Sequence, residues 1–65
     1  MADAAYVYIL ADGDDPDLPY YFQVVDTEGT VIAQSENYYN MHDECVKWAE
    51  KEAETRGVAV RDDSQ

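Results

Sequence analysis

Apolar residues concentrate in three short stretches in the first half of the chain. They read YVYIL over residues 6–10, YYFQVV over residues 20–25 and TVIAQ over residues 30–34. β-Branched and aromatic residues dominate all three, which is typical of strands. Glycine, two prolines and four aspartates fall within residues 11–19 and predict a loop between the first two strands.

The second and third predicted strands are joined by the four residues from Asp26 to Gly29. Aspartate at the first position and glycine at the fourth suit a type I turn in which the glycine takes a positive φ. Pairing the strands around this turn predicts that Val24 faces Val31 on one side of an antiparallel hairpin. Phe22 and Ala33 would face each other on that same side.

Residues 40–57 carry the period of a helix, which Asn40 is expected to cap and Gly57 to end. Acid-first pairs four residues apart, Asp43 with Lys47 and Glu52 with Arg56, would support it. One apolar stripe is expected to face the sheet; it consists of Met41, Cys45, Trp48, Ala49 and Ala53, with Val46 at its edge.

Residues 58–60 predict an optional short fourth strand, and a flexible acidic tail is expected from about residue 61. The order of elements predicts one α+β domain over residues 1–65. Its architecture would be a three-stranded antiparallel sheet with one helix packed on one face.

The face of the sheet away from the helix is expected to be aromatic. Alternation places Val7 and Ile9 under the helix. The opposite face then collects the candidate site residues Tyr6, Tyr8, Tyr21, Gln23 and Ile32. Tyrosine is enriched at protein interfaces, so these five residues predict a surface covered by another chain. Stacking of single-stranded RNA is a weaker alternative, because basic residues that would hold phosphates are scarce. Tyr38 and Tyr39 follow the third strand, and at least one is expected to pack at the corner before the helix.

Charge is the strongest compositional feature. Fifteen acidic residues stand against four basic ones, which gives a formal net charge of −11. Such a chain repels itself and repels nucleic acid. The acids are spread over loop, turn, helix and tail, which favours a surface adapted to molar salt. A mimic of nucleic acid that binds a basic protein is the alternative. The 46% content of hydrophobic residues argues against disorder.

Candidate chemistry is sparse. The aspartates of residues 12–17 do not follow the calcium-loop pattern, since counting from Asp12 puts Pro16 fifth and Asp17 sixth. His42 and Cys45 are the residue types of a nucleophilic pair, but Cys45 lies within the apolar stripe and is expected to pack there. We therefore expect no catalytic residues, no cofactor and no metal.

A chain of 65 residues has a marginal core and often needs further support. Its single cysteine allows no disulfide within the chain, and no His/Cys cluster suggests structural zinc, so oligomerisation remains. The N-terminal residues lack the basic start of a signal peptide, and no apolar run approaches about 20 residues. These features, with one unpaired thiol, predict a cytoplasmic protein.

The segment FQVVDTEGTVIAQSENY, residues 22–38, followed by a helix, resembles the YegP-like family of small β-β-β-α domains. The residues that match the family pattern are Gly29, Val31, Ile32, Ala33, Ser35, Glu36 and Tyr38. The resemblance implies that fold and the pairing of two such units, and it implies no reaction.

Taken together, these features predict a small, acidic, salt-adapted interaction module that acts as a homodimer without catalysis. No nucleic-acid or membrane partner is expected, and a further protein partner is left open. The alternative function is an acidic regulator that mimics nucleic acid and occupies a basic protein surface.

Overall fold

The computed structural model describes residues 4–62, and over this range the chain forms four strands and one helix. They are β1 (Ala4–Leu10), β2 (Tyr21–Asp26), β3 (Val31–Gln34), α1 (His42–Arg56) and β4 (Ala59–Asp62). The strands form one sheet in the order β3-β2-β1-β4. The predicted α+β architecture, with its optional fourth strand, is confirmed.

The fourth strand is longer than predicted and runs parallel to β1. It extends through Arg61 and Asp62, which pair with Tyr8 and Ile9, so these two residues belong to the sheet and not to the expected tail. An edge strand tolerates such charges because one of its sides faces solvent. Residues 63–65, the remainder of the expected tail, lie outside the described residues.

The register of the β2–β3 hairpin differs from the predicted one. Val24 pairs with Ala33 and not with Val31, a shift of two residues. One residue of the shift comes from the turn, because the amide of Asp26 bonds to the carbonyl of Thr30 and leaves a three-residue loop. The other comes from an irregularity between Val24 and Val25. A shift of two preserves the faces, since side chains alternate with period two.

The turn itself forms as expected. The Gly29 amide donates to the Asp26 carbonyl at 3.1 Å, and Gly29 has a φ of +85°. The Asp26 side chain is buried, and its Oδ1 accepts hydrogen bonds from the amides of Glu28 at 2.9 Å and Thr30 at 2.8 Å. The carboxylate therefore holds the hairpin loop closed by satisfying two backbone donors.

The core lies between the sheet and α1. Small side chains on the helix allow it to approach β1 closely, and the helix contacts β1, β4 and β2. The buried residues of this cluster are Val7, Ile9, Phe22, Val24, Cys45, Ala49 and Ala53.

Two members of the predicted helical stripe are not in the core. Met41 is 57% exposed and Trp48 is 41% exposed. The helix presents its narrow row of Cys45, Ala49 and Ala53 to the sheet, with Val46 packed against the edge of the core, and the Trp48 side chain remains partly exposed. The expectation that Met41 and Trp48 pack between the helix and the sheet is therefore wrong.

The prediction for the ends of α1 is confirmed at the C-terminal end only. Met41, not Asn40, occupies the N-cap position, and no side chain caps the helix there. Gly57 ends the helix in the left-handed conformation, with a φ of +69°. Within the described range, no helix is long and apolar enough to cross a membrane.

The two expected ion pairs along the helix have different outcomes. Arg56 Nε contacts Glu52 Oε2 at 2.6 Å, as predicted. The pair between Asp43 and Lys47 does not form. The Lys47 amine instead lies 5.7 Å from the centre of the Trp48 ring.

The corner between β3 and α1 is formed by one of the two tyrosines, as expected. Tyr39 packs against the core cluster, and its backbone exchanges two hydrogen bonds with Tyr20, at 2.8 and 3.1 Å. Burial raises the pKa of Tyr39 above its ordinary value. Tyr38 is 40% exposed and lies outside this cluster.

Replacing Asp26 tests the turn. Asp26→Ala should lower the free energy of unfolding by about 1–3 kcal/mol, because two amides lose their acceptor. Asp26→Asn keeps an acceptor oxygen and should cost less. The measurement is urea denaturation at one fixed protein concentration. Asp17→Ala is the matched control, since it removes the same charge from an exposed loop. An equal change in the free energy of unfolding at both positions would show that the lost charge, and not the two hydrogen bonds, causes the change.

Candidate functional site

The five residues predicted to form the candidate site lie on the sheet face opposite α1. Tyr6 and Tyr8 alternate along β1 with buried core residues, and Tyr21 and Gln23 do so along β2. Ile32 lies on this face by alternation in β3 and is 37% exposed. The tyrosines and Gln23 are half-buried, so neighbouring side chains already cover part of each.

Four residues beyond the predicted five belong to the same face. Gln34 pairs with Gln23, and Arg61 pairs with Tyr8. The Tyr38 ring centre lies 5.1 Å from that of Tyr21. We define the tyrosine face as these residues and the predicted five; its members are Tyr6, Tyr8, Tyr21, Gln23, Val25, Ile32, Gln34, Tyr38 and Arg61.

Val25 shows that the tyrosine face has a small apolar centre of its own. It pairs with Tyr6 and is only 4% exposed, yet it is not part of the cluster under the helix. The sequence did indicate that Val25 lies on this face, since Val25 continues the alternation of Tyr21 and Gln23. Arg61 could have been found by extending the fourth strand beyond residue 60.

Side chains at the β3 end of the tyrosine face are joined by hydrogen bonds. Gln23 Nε2 donates to Gln34 Oε1 at 3.5 Å, and Gln34 Nε2 donates to the Tyr38 hydroxyl at 3.1 Å. The Tyr21 hydroxyl donates to Asp12 Oδ1 at 2.6 Å. These bonds restrict the side chains before any partner arrives, which lowers the entropy cost of binding.

The β4 end of the tyrosine face is organised by ring contacts. Tyr6 and Tyr8 meet edge to face with their centres 5.9 Å apart. The Arg61 guanidinium carbon lies 5.6 Å from the centre of the Tyr6 ring, within the range of a cation–π contact. Arg61 is the one basic residue of the face. None of the nine residues is acidic.

The aspartate-rich loop supports this face. The Gly13 amide donates to the Pro19 carbonyl at 3.0 Å, which closes the loop. A Cβ on Gly13 would lie 2.9 Å from that carbonyl oxygen and 3.0 Å from Tyr38 Cδ2, so the close approach requires glycine. Among the residues described, no group of three or more His, Cys, Asp or Glu side chains could hold a metal ion.

The hydrogen bond to Asp12 changes the chemistry of Tyr21. Together with burial and the nearby negative charge, it raises the pKa of Tyr21 from 10.0 to about 12. The hydroxyl therefore remains a donor at every physiological pH. It fastens the loop to the sheet through Asp12.

Cys45 and His42 do not form a nucleophilic pair. Cys45 is fully buried, and burial, with a smaller contribution from Asp62, raises the pKa of its thiol to about 11. His42 Nε2 lies 2.5 Å from Asp62 Oδ2, and its Nδ1 lies 3.7 Å from Asp43 Oδ1. The imidazole thus faces two carboxylates, and the thiol stays protonated at neutral pH, which makes it a poor nucleophile. The predicted packing of Cys45 is confirmed.

The helix side of β3 has a concave surface. Because α1 lies over β1, β4 and β2, it leaves an open groove of about 910 Å³ beside β3. Apolar and aromatic walls are formed by Phe22, Ala33, Tyr39 and Trp48. Sequence reasoning missed this groove, because it assigned Trp48 to the core.

Comparison of the chain with protein-family models, with curated proteins and with solved structures found no match. The resemblance to the YegP-like family stays a prediction from residues 22–38. Function is therefore inferred from the surfaces of this fold.

A titration of the tyrosines tests the Asp12 contact. Since the pKa of Tyr21 lies above the ordinary 10.0, the contact stabilises the fold fully below pH 10.0 and is lost as pH rises towards about 12. In Asp12→Ala the pKa of Tyr21 should fall towards 10.0, followed by the NMR signal of the ring carbon that bears the hydroxyl. Asp14→Ala, in the same loop, should lower it less. A Tyr21 pKa that Asp12→Ala leaves unchanged would contradict the contact.

Proposed function

We propose that this chain is a small acidic interaction module that acts without catalysis, by pairing two copies through the tyrosine face. One observation carries the proposal. The face presents four tyrosine rings and Ile32 on the side of the sheet that α1 does not cover, and no other strand or helix between residues 4 and 62 lies over it.

The composition of the face supports an interface. A tyrosine ring buries a large apolar area while its hydroxyl keeps a hydrogen-bonding partner. Contiguous apolar patches above a few hundred Å² on small domains usually mark contacts with another molecule. Here the Tyr21 and Tyr38 hydroxyls are already bonded within the chain, so pairing would not leave them unsatisfied.

A second copy is the partner that the chemistry supports best. Symmetric pairing is the commonest form of association between identical chains. It would also supply burial that a domain of 65 residues cannot obtain alone. The nine residues of the face include no carboxylate, so none of the acidic residues that give the chain its net charge would be buried between the two faces.

The overall charge favours association in concentrated salt. Two chains with a net charge of −11 repel each other, and molar salt shortens the Debye length to about 3 Å. The acids occupy loop, turn and helix and do not gather in one patch, which supports adaptation of the whole surface. We propose that the protein works in the cytoplasm of a salt-adapted cell, where its single cysteine remains a thiol.

Sedimentation in molar KCl tests the proposed dimer. The wild-type chain should sediment as a dimer, and Tyr8→Glu or Ile32→Glu should shift it to a monomer, because each would bury an unpaired charge in the interface. Lys47→Glu, on the exposed side of α1, adds more negative charge than either variant and should leave the dimer intact. A wild-type chain that remains monomeric at high salt and high concentration would overturn the proposal.

A further inference from the structure

The two edges of the sheet differ in their chemistry. β4 carries Arg61 and Asp62, whereas β3 (Val31–Gln34) has no charged residue and no proline. Val31 is 46% exposed and Ile32 is 37% exposed. Soluble proteins usually protect a free edge with charge or proline, because its unpaired backbone groups can add another strand. In a chain with fifteen acidic residues, an uncharged edge is a distinctive feature.

The open groove lies directly beside this edge. Its lining includes Ala33 of β3, Phe22 of β2, Tyr39 from the corner and Trp48 of α1. A volume of about 910 Å³ is of the size that binding clefts have in proteins. A strand added to β3 would thus place alternate side chains into an apolar and aromatic cleft, and would not leave them in solvent.

The charged side chains around the groove indicate the charge that a bound segment should carry. Arg56 is bound by Glu52, and the Lys51 amine lies 4.9 Å from the centre of the Trp48 ring. Glu36 and Glu44 also line the groove, and neither has an ion-pair partner among residues 4–62. Lys51 lines the groove too and has no ion pair among residues 4–62, so two carboxylates stand against one ammonium and the unpaired charge is weakly negative. The net charge of −11 attracts cationic segments to the same surface.

We infer that β3 and the groove form a docking site for an extended basic segment of another protein. The segment adds a strand to the free edge through backbone hydrogen bonds, which is a common mode of peptide recognition. Side chains two residues apart then enter the groove together, an apolar one against Trp48 and a Lys or Arg near Glu36 and Glu44. A second copy of β3 fits less well, because it carries no cation.

This site lies on the helix side of β3, and it shares Gln34 and Tyr38 with the tyrosine face at the end of that strand. A dimer formed through the tyrosine face leaves the helix side of β3 open to a peptide. Variants outside the shared residues test the two proposals apart: Tyr8 does not line the groove, and Glu36 and Glu44 are not part of the tyrosine face.

A designed peptide tests the docking site. The probe is the acetylated and amidated peptide RTVTRTV, whose Arg and Val side chains share one face of a strand. Titrated into the labelled protein in about 0.15 M KCl, where the Debye length is about 8 Å and exposed ion pairs are less screened than in molar salt, it should shift the amide NMR signals of residues 31–34. It should also change the fluorescence of Trp48, the one tryptophan of the chain. The double variant Glu36→Gln, Glu44→Gln should weaken binding by about fivefold, as expected for two exposed ion pairs. Glu50→Gln, on the same helix but outside the groove, should not.

Two further peptides test the backbone pairing. In a strand, successive backbone amides point to opposite edges. Only every second amide of the bound peptide can therefore donate a hydrogen bond to β3. One peptide is N-methylated at the odd-numbered residues and a second peptide at the even-numbered residues. Only the peptide whose methyl groups replace the amide hydrogens that face β3 should lose binding. Equal binding by both, shifts spread over the whole acidic surface, or no binding at all would overturn the inference. Signals of residues 31–34 that move with protein concentration alone would assign the edge to a second copy and would overturn it too.

Discussion

The structure depends on how a fifteen-residue helix covers one side of a four-stranded sheet. At 1.5 Å per residue such a helix is about 22 Å long. It meets the sheet through Cys45, Ala49 and Ala53, whose small side chains bring it close to β1 but allow only a narrow contact. The helix therefore secures β1, β4 and β2, and it leaves β3 and the whole opposite face uncovered by any other strand or helix among residues 4–62.

The opposite face is completed in part by its own side chains. Val25 is buried there by its neighbours, and the hydroxyls of Tyr21 and Tyr38 are tied to Asp12 and Gln34. The loop that carries Asp12 thereby becomes a support for the sheet, although its composition first suggests a cation site. A surface that is aromatic and preorganised, and whose nine residues include no carboxylate, supports the proposed interface on a chain of net charge −11.

The sequence predicts the elements well because their signals are local. Strand alternation, the glycine of the turn and the glycine after the helix each act within a few residues, and Gly29 and Gly57 both adopt the expected left-handed conformation. The five predicted site residues share one face because alternation survives the two-residue error in register. That register depends on a three-residue loop and an irregularity near Val25, which a pattern of apolar residues does not encode.

What could not be predicted depends on tertiary geometry. Helical spacing places Trp48 and Ala49 on one stripe, and only the offset of α1 towards β1 and β4 decides which of them is buried. The same offset creates the groove beside β3. The pairing of His42 with Asp62 joins residues twenty positions apart and appears only when β4 lies parallel to β1.

The central claim is that the fold is completed by a second copy. The most direct test is the thermal unfolding midpoint in molar KCl, measured over about a hundredfold range of protein concentration. If unfolding is coupled to dissociation, the midpoint should rise steadily with concentration, because mass action favours the folded dimer. A midpoint that stays constant over the whole range would show that the single chain is the stable unit, and would contradict the account.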